Sequence, residues 1–349
     1  MREGRRSEVD LGPGERPDLW SGAVAWTVDG ARRQAWRLPP EEEPFAYAPA
    51  LYGKARIAAG VRFGASIRAR QLEIELVSVG DDAGPADVLV DGRLVLRQRP
   101  GPDRLRIELP PRRVRVEAWL PHRGRVEVGS VRATDVVAAD SLPSAVRWVA
   151  YGSSITQCEG SEGPSQTWPA IVARTLGWDL TCLGFGGECH LDPVVPRTIA
   201  RLAPGVVSLC LGINVHGRSS FSGRSWQGQA AELIRRVREA HATATIVVSS
   251  PIFSAAREST PNGAGLTLGD LREQVHEVGR DFRERGDTGV HVLDGRSLIG
   301  PGDAHLLRDG LHPSHDGYRL MAERMVRYLT TAGIASATAQ TASAVAVTA

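Results

Sequence analysis

The hydrophobic rhythm of the chain changes once, near residue 145, and that change constrains the fold more than any other feature. Before it, apolar and polar residues alternate, as in Arg104-Leu105-Arg106-Ile107-Glu108-Leu109 and Arg113-Val114-Arg115-Val116-Glu117-Ala118-Trp119. Successive side chains of a strand point to opposite faces, so alternation implies strands with one buried and one wet face. Asp91-Gly92, set between Val88-Leu89-Val90 and Leu94-Val95-Leu96, is a two-residue hairpin signal. Short strands at this spacing predict an all-β sandwich over residues 18–140, after a loose polar leader at 1–17. The arginines on alternate positions read as its solvated face, because Glu73, Glu75, Glu108 and Glu117 are mixed among them.

After the change, short apolar strands near 147–151, 178–184, 205–211, 245–250 and 290–294 alternate with helical stretches. The stretch near 226–241 carries Trp226, Ala230, Leu233 and Val237 on one stripe, and that near 315–331 carries Tyr318, Met321, Ala322, Met325 and Leu329. Strands alternating with helices predict an α/β domain, a parallel sheet covered on both faces, over residues 141–332. Residues 333–349 are rich in Ala, Thr and Ser, carry no charge, and read as a disordered tail.

With 349 residues, the chain has length for about two domains at roughly 150 residues each. Lys+Arg total 42 and Asp+Glu 40, a net charge of +2, which argues against nucleic acid or an anionic membrane as main partner. Lys54 is the only lysine, and the arginine bias reads as compositional drift. Cys158, Cys182, Cys189 and Cys210 form no C-x-x-C pair, so neither a disulfide framework nor a structural zinc site is expected. No apolar signal region opens the sequence and no apolar run is long enough to span a bilayer, so the expected location is cytoplasmic.

In a doubly wound sheet, reactive groups gather at the carboxyl ends of the strands, and four segments fall there. Gly152-Ser153-Ser154-Ile155-Thr156 follows the first strand, at the mouth of a helix whose free N–H groups favour developing negative charge. Gly184-Phe185-Gly186-Gly187-Glu188 follows the second, where glycines let a backbone N–H approach a ligand closely. Gly212-Ile213-Asn214 follows the third. Taken singly, these read equally as an N-cap, an ordinary turn and a turn asparagine. Asp309-Gly310-Leu311-His312-Pro313 precedes the last helix, and its acid, three residues ahead of the histidine, can receive the ring N–H and fix the tautomer.

Together, G-x-S, a glycine turn, G-x-N and D-x-x-H-P in this order resemble the GDSL or SGNH hydrolase family over about residues 146–332. The resemblance implies a three-layer, flavodoxin-like α/β domain, here preceded by a jelly-roll-like sandwich. It implies Ser154 as nucleophile, His312 as general base and Asp309 as the group orienting it. The N–H groups of Ser154 and Gly187 and the amide of Asn214 would form an oxyanion hole. Three positions depart from the family pattern: Ser153 and Val215 stand where aspartate is usual, and Glu188 where aspartate or asparagine is common. Glu188, His190 and His216 are candidate substrate contacts, with Cys189 and residues 218–226 beside them. His312, His315, Asp309 and Asp316 also invite a metal reading, which the complete serine constellation displaces, with His315 starting the last helix. No metal and no cofactor are expected.

The implied chemistry is acyl transfer through an acyl-serine, giving an esterase with water as acceptor or an O-acyltransferase with an alcohol. The two-domain order is similar both to family 2 carbohydrate esterases and to GDSL acyltransferases of polyketide biosynthesis. Few aromatic residues flank the motifs, so a small or polar ester is the expected substrate. A catalytically silent carbohydrate-binding protein is the alternative of another class, with Trp20, Trp26, Trp36 and Trp119 as candidate platforms. A sandwich core is the plainer place for those rings.

Overall fold

At Asp91-Gly92 the chain reverses through a two-residue loop, pairing Val90 with Arg93. Both loop residues have positive φ, 49° and 78°, as the tight turn that matches strand twist requires. The computed structural model describes residues 8–80, 82–144 and 146–336. They divide into two compact units. The first comprises the residues up to Pro40, Ala55–Pro143 and Gly163–Ser165; the second comprises Glu41–Lys54, Ser144–Glu162 and the residues from Gln166 on.

The first unit holds two six-stranded antiparallel sheets. Leu72, Ile74 and Leu76 from Gln71–Val79 share one buried cluster with Phe63, Ala65 and Ile67 from Arg62–Arg68 in the other sheet. That is the sandwich predicted by the alternation. Arg104 and Arg106 pair with Glu73 on its wetter face, as expected, but Glu117, the partner of Arg115, is only 3% exposed and departs from that pattern. Trp20, Trp36 and Trp119 are buried and Trp26 is partly so, packed edge-on to Trp20 at 5.5 Å, so these rings serve the core and not a sugar platform.

The leader expectation is corrected for residues 8–17. Glu8–Asp10 pairs antiparallel with Arg125–Thr134, and Leu11 is wholly buried in the sandwich core. At the other end, Ile334 is 3% exposed, so order extends past the last long helix; residues 337–349 of the expected tail lie outside the described residues. A further difference falls inside the expected sandwich, where Glu43–Ala46 and Pro49–Ala55 are helical.

The second unit contains a five-stranded parallel sheet in the order Asp179–Gly184, Arg147–Gly152, Val206–Cys210, Thr245–Ser249, Val290–Leu293. This doubly wound 2-1-3-4-5 order is the flavodoxin-like one. Helices fill the connections. Trp168–Leu176 is capped by Thr167, whose hydroxyl accepts from the Ala170 N–H, and ends at Gly177 with φ 67°. Gly223–Ala240 buries the stripe Trp226, Ala230, Leu233, Ile234 and Val237. Trp148, on the second strand in the sheet order, packs against Trp168 at 5.9 Å and Trp178 at 5.8 Å, and donates its indole N–H to Ser208. Among the described residues no helix is long and apolar enough to cross a membrane.

Candidate active site

The first strand ends at Gly152, paired with Gly184 of its neighbour. Neither position tolerates a side chain. A Cβ on Gly152 would lie 2.2 Å from Thr156 Oγ1, and one on Gly184 would lie 2.4 Å from the Gln157 backbone nitrogen. These two glycines let the short helix Ser154–Gln157 sit directly on the strand ends. Ser153 caps it, its hydroxyl accepting from the Ile155 N–H at 3.2 Å. The capping duty therefore falls on Ser153, and the Ser154 side chain is left for other work. A cavity of about 20 Å³ adjoins the segment, lined by Ser153, Ile155, Thr156, Cys210 and Ser249 among others.

Ser154 Oγ stands 2.9 Å from His312 Nε2, and His312 Nδ1 stands 2.7 Å from Asp309 Oδ2. The carboxylate can only accept, so Nδ1 carries the proton and Nε2 is left to accept from the Ser154 hydroxyl. The other Asp309 oxygen accepts the backbone N–H groups of His312 at 2.7 Å and Leu311 at 3.1 Å. Burial pushes the Asp309 carboxyl up, but these backbone bonds, the ring N–H and the nearby imidazole outweigh it and hold the group at about 2. Asp309 is thus an acceptor across the range in which proteins are usually handled.

The loop carrying this pair is closed at its base, where Leu307 bridges Pro313 and the Arg308 N–H donates to the His312 carbonyl at 2.9 Å. At its tip Gly310 has φ 73°, and its carbonyl accepts from the buried Ser254 hydroxyl at 2.8 Å. Glu258 accepts from the Ser254 N–H and is itself held by Arg272, at 2.7 and 2.8 Å. Ser254, Glu258 and Arg272 escape sequence reasoning, since nothing in their local pattern marks them as supports of a loop 50 residues away.

The glycine turn is also fixed by hydrogen bonds. Gln157 Oε1 accepts the Gly186 N–H at 2.9 Å, and His190 Nε2 donates to the Gly187 carbonyl at 3.0 Å. The Ser220 hydroxyl donates to His190 Nδ1 at 2.7 Å. Asn214 Oδ1 accepts the Cys189 N–H at 3.0 Å, and the Tyr151 hydroxyl accepts from Leu191 N–H. Since the Asn214 oxygen is engaged, its NH₂ group is the free, donating end. Of the candidate substrate contacts, His190 serves the turn. His216, 8% exposed, donates to the Thr260 carbonyl at 3.1 Å and pins a loop. Glu188 is half-buried beside the turn.

His315 is the first residue of helix His315–Thr331, whose cap is Ser314. Among the described residues, no three His, Cys, Asp or Glu side chains group as metal ligands would. Burial pushes the Cys189 thiol up to about 12 and the Cys210 thiol up to about 11, so neither is an activated thiolate. A groove of about 640 Å³ between Val194–Leu202 and Gly223–Ala240 includes none of Ser154, His312 or Asp309 in its walls.

Residues 150–320 match the sequence model of the GDSL-like lipase/acylhydrolase family. The chain carries a GDSL-like lipase/acylhydrolase domain. Among solved structures, the salicylyl-acyltransferase SsfX3 from a tetracycline biosynthetic pathway superposes with a TM-score of 0.85 at 27% identity, covering 95% of this chain and 99% of that one. A family 2 carbohydrate esterase from Clostridium thermocellum, solved with cellohexaose, gives 0.66 at 17% identity over 89% and 98%. At that identity the second likeness speaks for the fold alone. Curated protein sequences give no significant match. The GDSL architecture and its neighbours make the chain an enzyme of hydrolase or acyltransferase type.

Proposed function

We propose that this GDSL enzyme is a serine esterase acting on O-acyl esters of a small or polar alcohol, through an acyl-Ser154 intermediate and without a cofactor. One observation carries the reading: the unbroken chain of hydrogen bonds from Ser154 through His312 to Asp309. His312 Nε2 takes the Ser154 proton as Oγ adds to the ester carbonyl, and the carbonyl oxygen becomes an oxyanion. The Ser154 and Gly187 N–H groups and the Asn214 NH₂ group receive that charge. As the oxyanion collapses, the C–O bond to the alcohol breaks and His312 returns the proton to the leaving oxygen. Water then adds to acyl-Ser154 by the same steps and releases the acid. Asp309 holds the tautomer and stabilises the imidazolium formed in each half-reaction.

A second reading replaces water with an acceptor alcohol. It draws support from the 27% identity and near-complete coverage of a salicylyl-acyltransferase, against 17% for the carbohydrate esterase. Turnover of p-nitrophenyl acetate by wild type and by Ser154→Ala tests the shared core of both. Wild type is expected to release nitrophenol and the variant to fall to background; equal background rates in both would remove the acyl-enzyme. Trapping acyl-Ser154 by rapid quench and comparing its decay in water with that in added sugars or polyols then separates hydrolysis from transfer.

A further inference from the structure

The only lysine of the chain lies beside the glycine turn. Lys54, near the end of helix Pro49–Ala55, belongs to the second unit although its sequence lies within the expected sandwich. Its ammonium reaches Glu159 Oε1 at 3.1 Å. The same oxygen accepts from Gln157 Nε2 at 3.0 Å, and Gln157 Oε1 accepts the Gly186 N–H at 2.9 Å. Gln157 is wholly buried, so a missing partner there would be costly. The turn rests closely on this chain: a Cβ on Gly186 would come within 3.2 Å of both Gln157 Oε1 and Glu159 Oε1 and 3.5 Å of Lys54 Nζ.

The geometry of the backbone gives this chain a task. Gly186 N–H belongs to the peptide before the one that carries Gly187 N–H, and the Gly187 carbonyl belongs to the peptide after it. Gln157 fixes the former and His190 the latter, so the peptide between them is held from both sides. Gly187 itself has φ 80°, a conformation that a glycine adopts freely and would leave as freely without such anchors.

We propose that Lys54, Glu159 and Gln157 form a positioning chain that sets the direction of the Gly187 N–H. The ammonium holds Glu159 in place; Glu159 fixes which end of the Gln157 amide is oxygen; and that oxygen holds Gly186. Helix Pro49–Ala55 thereby contributes a residue to the chemistry of the second unit. The proposal rests on the acyl-enzyme reading, in which that N–H meets the oxyanion. A misdirected donor weakens charge stabilisation in the transition state while leaving ground-state binding nearly intact, so the loss should appear in kcat and not in KM.

The test uses the full chain, with p-nitrophenyl acetate kinetics and amide hydrogen exchange of the peptide spanning residues 184–190. Gln157→Met should lower kcat by about 10–10²-fold with KM changed by less than about threefold, and should speed exchange in that peptide. Lys54→Met, which breaks a half-exposed ion pair, should lower kcat by about 3–10-fold, and Lys54→Arg should restore it to within about twofold. Exchange unchanged in both Gln157→Met and Lys54→Met would overturn the chain as an anchor, and faster exchange with unchanged kcat would overturn its positioning role. A folding defect in Gln157→Met leaves the Lys54 pair to decide. Absence of any Ser154-dependent turnover in wild type would instead sink the acyl-enzyme reading, while exchange would still decide whether the anchor exists.

Discussion

The Asp309–His312 pair of the candidate site is carried by residues 309–312 of one closed loop, whereas the glycine turn and the residues after it are held mainly from distant stretches of chain, by Gln157, Asn214 and Tyr151, with His190 as a local anchor. On the first side, Asp309 and His312 are three residues apart and satisfy each other through both side chain and backbone. On the second, only the His190–Gly187 bond is that local; the others span 25 residues for Asn214 and Cys189, 29 for Gln157 and Gly186, and 40 for Tyr151 and Leu191. A local pair keeps its geometry when the rest of the molecule shifts. A turn hung from several strand ends moves whenever any of them does. The position of the glycine turn therefore depends on several strand ends at once.

The largest effect separating the two sides is expected at His312. Without its base the Ser154 hydroxyl is an ordinary alcohol, so His312→Ala should lose on the order of 10⁴-fold or more in kcat, nearly as much as Ser154→Ala. A His312→Ala enzyme that stays active and depends on His315 would break the assignment, since it is the His312 ring that stands 2.9 Å from Ser154 Oγ.

On the turn side the expected loss is smaller and more diagnostic. Asn214→Ala removes a donor and also strands the Cys189 N–H, so its cost would mix two effects. Asn214→Asp keeps the acceptor for Cys189 while removing the NH₂ group and adding negative charge. Its kcat should fall by about 10²–10³-fold or more, with KM little changed. Full activity in Asn214→Asp would show that the amide donates to nothing in the transition state, and the contrast between the two sides would then rest on Gly187 alone.

That contrast also explains what was legible in the sequence. Ser154, Asp309 and His312, which the structure brings into one hydrogen-bonded chain, stood out because they lie in short local spacings, G-x-S and D-x-x-H-P. The parallel sheet was readable from five apolar strands whose ends fall within a residue or two of those observed. Gln157 and Glu159 were not legible: their partners are the backbone of a turn nearly 30 residues on and a lysine about 100 residues earlier. Lys54 was conspicuous as the only lysine, yet composition names no partner. The helices at Glu43–Ala46 and Pro49–Ala55 did leave a signal, in a proline at a helix start followed by Ala, Leu and Lys, but the surrounding alternation masked it. Residues 8–17 misled for a different reason. A polar stretch pairs with an interior strand of the sheet through its backbone, and side-chain pattern is silent about that.

The smallest expected effect concerns stability rather than rate and returns to the local side of the comparison. The Asp309 carboxyl is held at about 2 in the folded protein, below its ordinary value of 3.8. A group depressed by folding stabilises the fold wherever it is ionised in both states, here above about pH 4, and loses that contribution as pH falls toward 2. More than half of the side chain is exposed, so solvent screens most of the interaction. The melting temperature of Asp309→Asn should therefore lie below that of wild type by about 2–4 °C at most between pH 5 and 7. The gap should narrow between pH 4 and 2, where wild type becomes protonated and comes to resemble its variant. A gap that stays constant down to pH 2 would mean that the carboxylate is not held by the His312 backbone and ring, and that the loop owes its shape to Ser254 and the Leu307–Pro313 bridge instead.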